Sequence, residues 1–124
     1  MDTRNKILDA PRTDLARPLA IVTGHFDILR AGHARDLEHA RDAAGAATLL
    51  AIVLPSPTAL LPQRARAELV AALRAVDSVV LADTAGAERL IASLQPAHVI
   101  HMEESDERRS RQLREHVRNR SRNA

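Results

Sequence analysis

The sequence predicts an α/β domain built on a doubly wound parallel sheet, and three observations carry that prediction. Short runs of nearly continuous apolar character recur along the chain, helical hydrophobic patterns separate them, and a turn bounded by glycines follows the first run. With 124 residues the chain can build one compact domain around one core, and it is too short for two. Phe26 is the sole aromatic residue, so the core must come from Ala, Leu, Val and Ile, which favours close packing of helices on a sheet.

Residues 1–17 show no sustained period and read as an N-terminal arm, docked or frayed. Leu19 to Thr23, Leu49 to Leu54, Ser78 to Ala82 and His98 to Met102 read as strands buried on both faces, because apolar residues follow one another instead of alternating. The first helix is expected from about Gly32 to Ala44, with Leu37, Ala40 and Ala44 on one side. Leu69, Ala72, Leu73 and Val76 recur at i, i+3, i+4 and i+7 and predict the second helix; Ala87, Leu90, Ile91 and Leu94 repeat the spacing and predict the third. Pro55-Ser56-Pro57 and Pro96 break the chain where connections should fall. Residues 18–103 then form the domain, and 104–124 an arginine-rich C-terminal helix or tail in which a polar helix over Glu104 to Val117 has Leu113 and Val117 as its apolar pair.

Composition removes several classes of function. The chain has no cysteine, which excludes disulfides, zinc–thiolate sites and thiol nucleophiles. Its apolar stretches are only a few residues long and its N-terminus is polar, so no membrane partner and a cytoplasmic location are expected. The net charge is +2, yet Arg108 to Arg122 holds seven arginines against one acid, Glu115. Such a segment can attract nucleic acid in a salt-dependent way. It carries no aromatic residue for base stacking, and a solvated helix or disordered tail is the plainer reading, so nucleic acid is disfavoured as a partner. Lys6 is the sole lysine, leaving arginine, histidine or backbone amides to grip any phosphate.

In a Rossmann-like sheet of this kind the ligand sits beyond the carboxyl ends of the strands, at the switch point beside the first strand. Here that point is the turn Gly24-His25-Phe26-Asp27-Ile28-Leu29-Arg30-Ala31-Gly32-His33. Gly24 permits a close or left-handed backbone path, and Gly32 removes a side chain where a helix begins, so amides there can face an anionic phosphate. The helix dipole adds attraction for negative charge.

The ordered string Gly24-x-Phe26-Asp27-x-x-Arg30-x-Gly32-His33 resembles the G-x-F-D-x-x-H-x-G-H signature of the cytidylyltransferase-like nucleotidyltransferases. Members of that family transfer a nucleoside monophosphate from CTP or ATP to a phosphorylated small molecule and release pyrophosphate. Arg66-Ala67-Glu68-Leu69-Val70-Ala71-Ala72-Leu73 and Val76-Asp77-Ser78-Val79-Val80 are similar to its R-A-E-x-x-x-A-L and V-D-x-V-V stretches. The likeness covers roughly residues 5 to 103. It is greatest to the sugar-phosphate branch, the heptose-phosphate adenylyltransferase domain above all, with similarity also to glycerol-phosphate and ethanolamine-phosphate cytidylyltransferases.

The resemblance implies roles residue by residue. His33 donates to the triphosphate and stabilises the transition state, and Arg30 stands at the reacting centre where the family has its first histidine. The amides of Gly24, His25 and Phe26 line the phosphate path, Gly32 opens the helix, and Asp27 braces the loop or positions the ligand. Arg66 approaches the phosphates from the second helix. Magnesium is expected as cofactor, bridging the triphosphate and held largely by phosphate oxygens and water, with no metal-ligating residue singled out. The partners implied are a nucleoside triphosphate and a phosphorylated sugar or polyol, with a homodimer an expectation from the family. Each role has a plainer competitor: an exposed first-turn residue for His33, a core plug for Phe26, a turn or cap residue for Asp27, a solvated loop residue for His25, and a surface ion pair for Arg66.

The chain departs from the family at several phosphate contacts. Arg30 can hold phosphate bidentately but is a poor proton donor. Leu54 to Arg66 contains no lysine, and only Arg64 could partly substitute for the one expected there. His101-Met102-Glu103-Glu104 stands in place of a K-G-x-D-like segment, and the later I-S-S/T-T-like segment has no counterpart. Two functions are therefore expected in competition, a small nucleotidyltransferase and a catalytically impaired nucleotide-binding or regulatory module of the same fold.

Overall fold

A computed structural model of the protein describes residues 2–8, 14–27 and 31–103. The expected helix over Glu104 to Val117, the arginine-rich tail and Arg30 all lie outside the described residues. Four strands, β1 (Leu19–Gly24), β2 (Thr48–Val53), β3 (Ser78–Leu81) and β4 (His98–His101), form one sheet in the order β3-β2-β1-β4. Every neighbouring pair is parallel, so each connection must cross over the sheet, and helices α1 (Ala31–Ala44), α2 (Gln63–Ala71) and α3 (Thr84–Leu94) occupy those crossovers. The doubly wound α/β architecture read from the sequence is the architecture found.

β1 and β2 are buried along their whole length because side chains on both faces meet helices. On one face Ala20, Val22, Leu49, Ala51, Val53 and Val79 pack with Phe26, with Leu37 of α1, and with Ala67, Val70 and Ala71 of α2. On the other, Leu19, Ile21, Leu50, Ile52 and Val80 pack with Ala87, Leu90 and Leu94 of α3. Alternation along β1, β2 and β3 thus feeds two cores, which is why they read as continuous apolar runs; β4, expected to be buried on both faces, is an edge strand whose residues are exposed or half-buried. At about 25 cal/mol per Å² of apolar surface, burying such Leu and Ile side chains contributes on the order of 2 kcal/mol each.

The periodicity that predicted the second helix misplaces it. α2 ends at Ala71, and Leu73 and Val76 pack from the turn that follows instead of from the helix. Leu69 is 43% exposed, whereas Arg66, Ala67, Val70 and Ala71 form the buried face. α3 matches its prediction, with Ala87, Leu90 and Leu94 inward.

The N-terminal arm is docked where it is described. Residues Thr3–Lys6 form a 3-10 helix, Ile7 bridges to Val79, and Leu8 N donates to Val79 O at 2.8 Å. Lys6 Nζ donates to Leu73 O, and Arg17 donates to the carbonyls of Leu94 and Gln95 at the end of α3. At the amino end of the sheet, Arg41 of α1 donates to Asp77 Oδ2 at 2.6 Å, and the same oxygen accepts from Leu49 N at 2.8 Å. The Val-Asp pair before β3 therefore ties α1 to the β2–β3 edge, away from the carboxyl ends where a ligand would sit.

Candidate functional site

The strand order reverses between β1 and β4, since β2 and β3 lie on one side of β1 and β4 on the other. The crevice beyond these carboxyl ends is the switch point of the sheet. Gly24 ends β1, paired with Val53 and with its carbonyl accepting from Leu54 N at 2.9 Å. Of the close or left-handed path that Gly24 permits, the left-handed one does not occur. The residue with positive φ is Phe26, at 51°, and the sharp turn out of the strand is made there. Phe26 tolerates that strained region because its ring is fully buried in the core over α1 and α2, as a plug.

Asp27 spans a gap between loops. Oδ1 and Oδ2 accept from Leu60 N at 2.9 and 3.0 Å, and Oδ1 also accepts from Leu61 N at 3.2 Å. The carboxylate so fixes the connection between β2 and α2 against the turn after β1. Arg66 works from the other side of the same junction. It is 2% exposed, and its guanidinium donates to three carbonyls: His25 O at 2.6 Å, Leu54 O at 2.7 Å and Leu61 O at 3.1 Å. Burial lowers the Arg66 pKa from its ordinary value, and the Asp27 carboxylate opposes that shift.

Arg66 is therefore neither the surface ion pair of the plainer reading nor a side chain reaching freely toward a ligand. It is a strut between the β1 turn, the end of β2 and the following loop. Its Nη2 makes no hydrogen bond to another described residue, and Arg66 lines a depression of about 570 Å³ bordered by Pro55, Leu60, Pro62 and Gln63.

α1 begins at Ala31, so Gly32 and His33 fall in its first turn, where the helix dipole favours an anion. His33 is 3% exposed, so the exposed first-turn residue of the plainer reading is not what the fold produces. His39 lies on the exterior of the helix, as its charged neighbours suggested. His25 is half-buried, with its carbonyl on Arg66.

A second group of polar side chains meets at the switch point. Thr23 Oγ1 lies 2.8 Å from His101 Nδ1 and donates to Glu103 Oε1, and His101 Nδ1 lies 3.8 Å from Glu103 Oε2. Sequence reading noted His101 and Glu103 only as departures and passed over Thr23. The available signal was a polar residue at the end of each of two apolar strands expected to flank the switch point.

The family model described as cytidylyltransferase-like matches residues 21–123. The chain belongs to the cytidylyltransferase-like family. The match includes the turn after β1, the Arg66 helix and the arginine-rich segment after β4. No curated protein sequence matches significantly. Among solved structures, the lipopolysaccharide core biosynthesis protein from Thermoplasma volcanium GSS1 superposes with a TM-score of 0.58 at 22% identity, over 65% of this chain and 70% of that one. At that identity the likeness shows the shared fold. Membership of the family supports a nucleotidyltransferase role, and among the described residues no helix is long and apolar enough to cross a membrane.

Proposed function

We propose that the protein is a nucleotidyltransferase that moves a nucleoside monophosphate from CTP or ATP to a small sugar or polyol phosphate and releases pyrophosphate. One observation carries the reading: the family's entrance string lies across the turn from β1 into α1, at the switch point, with His33 buried in the first turn of the helix. During attack on the α-phosphorus, negative charge grows on the equatorial oxygens and on the departing pyrophosphate, so positioning and electrostatic stabilisation do most of the work. Helix amides at Gly32 and His33 suit that task, with His33 as donor to the triphosphate and Arg30 as a second cationic contact. Family membership supports the reaction class, and the sugar-phosphate acceptor draws support from the lipopolysaccharide-related neighbour.

Magnesium would enter with the triphosphate, held largely by phosphate oxygens and water. Asp27 accepts from backbone amides and Glu103 from Thr23. When bound, the metal would neutralise charge between phosphate oxygens.

The occupation of Arg66 by three carbonyls favours a second reading, a nucleotide-binding or regulatory module without turnover. Calorimetric titration with CTP and ATP, with and without magnesium, followed by a pyrophosphate-release assay with sugar and polyol phosphates, separates the two. Binding with release supports the enzyme, and binding without release supports the module. No binding of either nucleotide removes both.

A further inference from the structure

The strut role of Arg66 leaves part of its guanidinium unused. Nε donates to Leu61 O and Nη1 to the carbonyls of His25 and Leu54, while Nη2 donates to no described residue. Among the described residues no carboxylate forms an ion pair with Arg66, and the nearby Asp27 accepts from the Leu60 and Leu61 amides instead. A buried cation is costly without an anion, and a buried N–H is costly without an acceptor. Whatever meets Nη2 must come from outside the fold.

The depression that Arg66 lines supplies the room. Its volume is about 570 Å³, and among its described walls, which include Pro55, Pro57, Leu60, Pro62 and Gln63, Arg66 is the one charged residue. Helix α2 starts at the same place. Pro62 caps it with no side-chain hydrogen bond, and no acid stands in its first turn. The first donor within the helix is Arg66 N, to Pro62 O at 3.0 Å, so the amides of Gln63, Arg64 and Ala65 have no intrahelical acceptor. The helix dipole and the guanidinium act in the same sense, both favouring negative charge.

We propose that this depression between β2 and α2 is a phosphate-binding site, in which Arg66 Nη2 and the first amides of α2 hold one phosphate group beside a wall of proline and leucine. Phosphate suits it better than a carboxylate. It carries about −1.5 to −2 charge at neutral pH, and its three oxygens can meet an amino group and helix amides from different directions. Because Nε and Nη1 are held by carbonyls, the arginine fork is not available, and contact is through a single nitrogen. None of the described lining residues belongs to the β1 turn or to α1. The site is therefore separate from the one proposed for the triphosphate and does not rest on the nucleotidyl-transfer reading.

Leu60 allows a test that spares the strut. The residue is 78% exposed, so Leu60→Glu keeps the Arg66 hydrogen bonds and adds a carboxylate to the lining of the depression. Leu69→Glu, on α2 and outside that lining, makes the same charge change as a control. The isotope-labelled chain is titrated with inorganic phosphate at constant ionic strength, and its amides are followed by NMR. Saturable shifts are expected at Gln63, Arg64 and Ala65, with acetate binding more weakly. The dissociation constant should rise about tenfold or more in Leu60→Glu and stay within about twofold in Leu69→Glu. Glycerol 3-phosphate distinguishes the sources: tighter binding than inorganic phosphate assigns the site to phosphorylated molecules whose carbon chain lies on the wall, and equal binding assigns it to the free ion. Shifts confined to Gly32 and His33, equal weakening in both glutamate variants, or no saturation at millimolar phosphate would each overturn the site. The last result would mean that water alone meets Nη2.

Discussion

Arg66 shows how one buried charge can tie loops together. Three carbonyls from separate stretches of chain converge on its guanidinium, and Asp27 gathers two amides of the same loop. The planar fork reaches several acceptors at once, which a compact ammonium cannot do. Arg66→Met keeps the bulk and leaves those carbonyls without donors, so it should cost about 2–4 kcal/mol, and Arg66→Lys should recover little of it. Urea titration reads this as a lowered midpoint at unchanged slope. A midpoint equal to the parent's would mean that water replaces the strut. Asp27→Asn turns a donor toward the Leu60 and Leu61 amides and is expected to cost about 1–2 kcal/mol by the same measurement. None of this was legible in the sequence, where Arg66 stood in a matched motif and nothing marked its three partners. Carbonyl groups have no sequence signature, and only the fold brings them together. Phe26 was legible as a plug because a lone aromatic in an aliphatic chain has few places to go.

At the level of elements, continuous apolar runs located β1, β2 and β3, since burial on two faces leaves little room for polar residues, whereas β4 lies where its run placed it but at an edge of the sheet, exposed or half-buried along its length. α3 was equally plain: Asp83 caps it through Gly86 N at 2.6 Å, and Gln95 closes it in the left-handed conformation. Asp83→Ala should therefore cost about 1 kcal/mol, seen as a melting midpoint lower by roughly 4 °C. α2 was harder because its region is rich in alanine, which fits either side of a helix, and the leucines alone set the apparent phase. Arg66 occupies the buried face that a hydrophobicity pattern assigns to apolar residues. A pair of substitutions distinguishes the two placements. Leu69→Glu should change stability by less than about 1 kcal/mol because the side chain is already largely in water, whereas Val70→Ala should cost about 2 kcal/mol by opening the core. Equal losses would restore the phase read from the sequence.

Taken as a whole, the molecule buries β1 and β2 along their length and leaves its proposed chemistry to the ends of strands and the loops between them. The switch point was legible because strand order follows from alternating strands and helices, but the Thr23 and His101 pair required the β1–β4 register, which no local pattern encodes. The balance of charge at that point decides how a nucleotide would act on stability. Among the described groups Asp27 and most of Arg66 are internally satisfied, so attraction for a triphosphate falls to the α1 amides and His33. A ligand there bridges the β1 turn to α1 and favours the folded state by mass action. At about 100 times its dissociation constant it should add about 2.7 kcal/mol, a rise in melting midpoint of about 10 °C for a domain of this size. Magnesium should enlarge the rise, because the metal offsets phosphate charge that meets the Glu103 carboxylate at the crevice. His33→Ala should shrink the ligand-induced rise measured against the variant's own baseline, since it removes a side chain expected to contact the triphosphate. The measurement is a thermal melt across a nucleotide series. A midpoint unmoved by millimolar CTP and ATP, with magnesium present, would show that the crevice holds neither nucleotide and that the entrance string has been kept for another ligand.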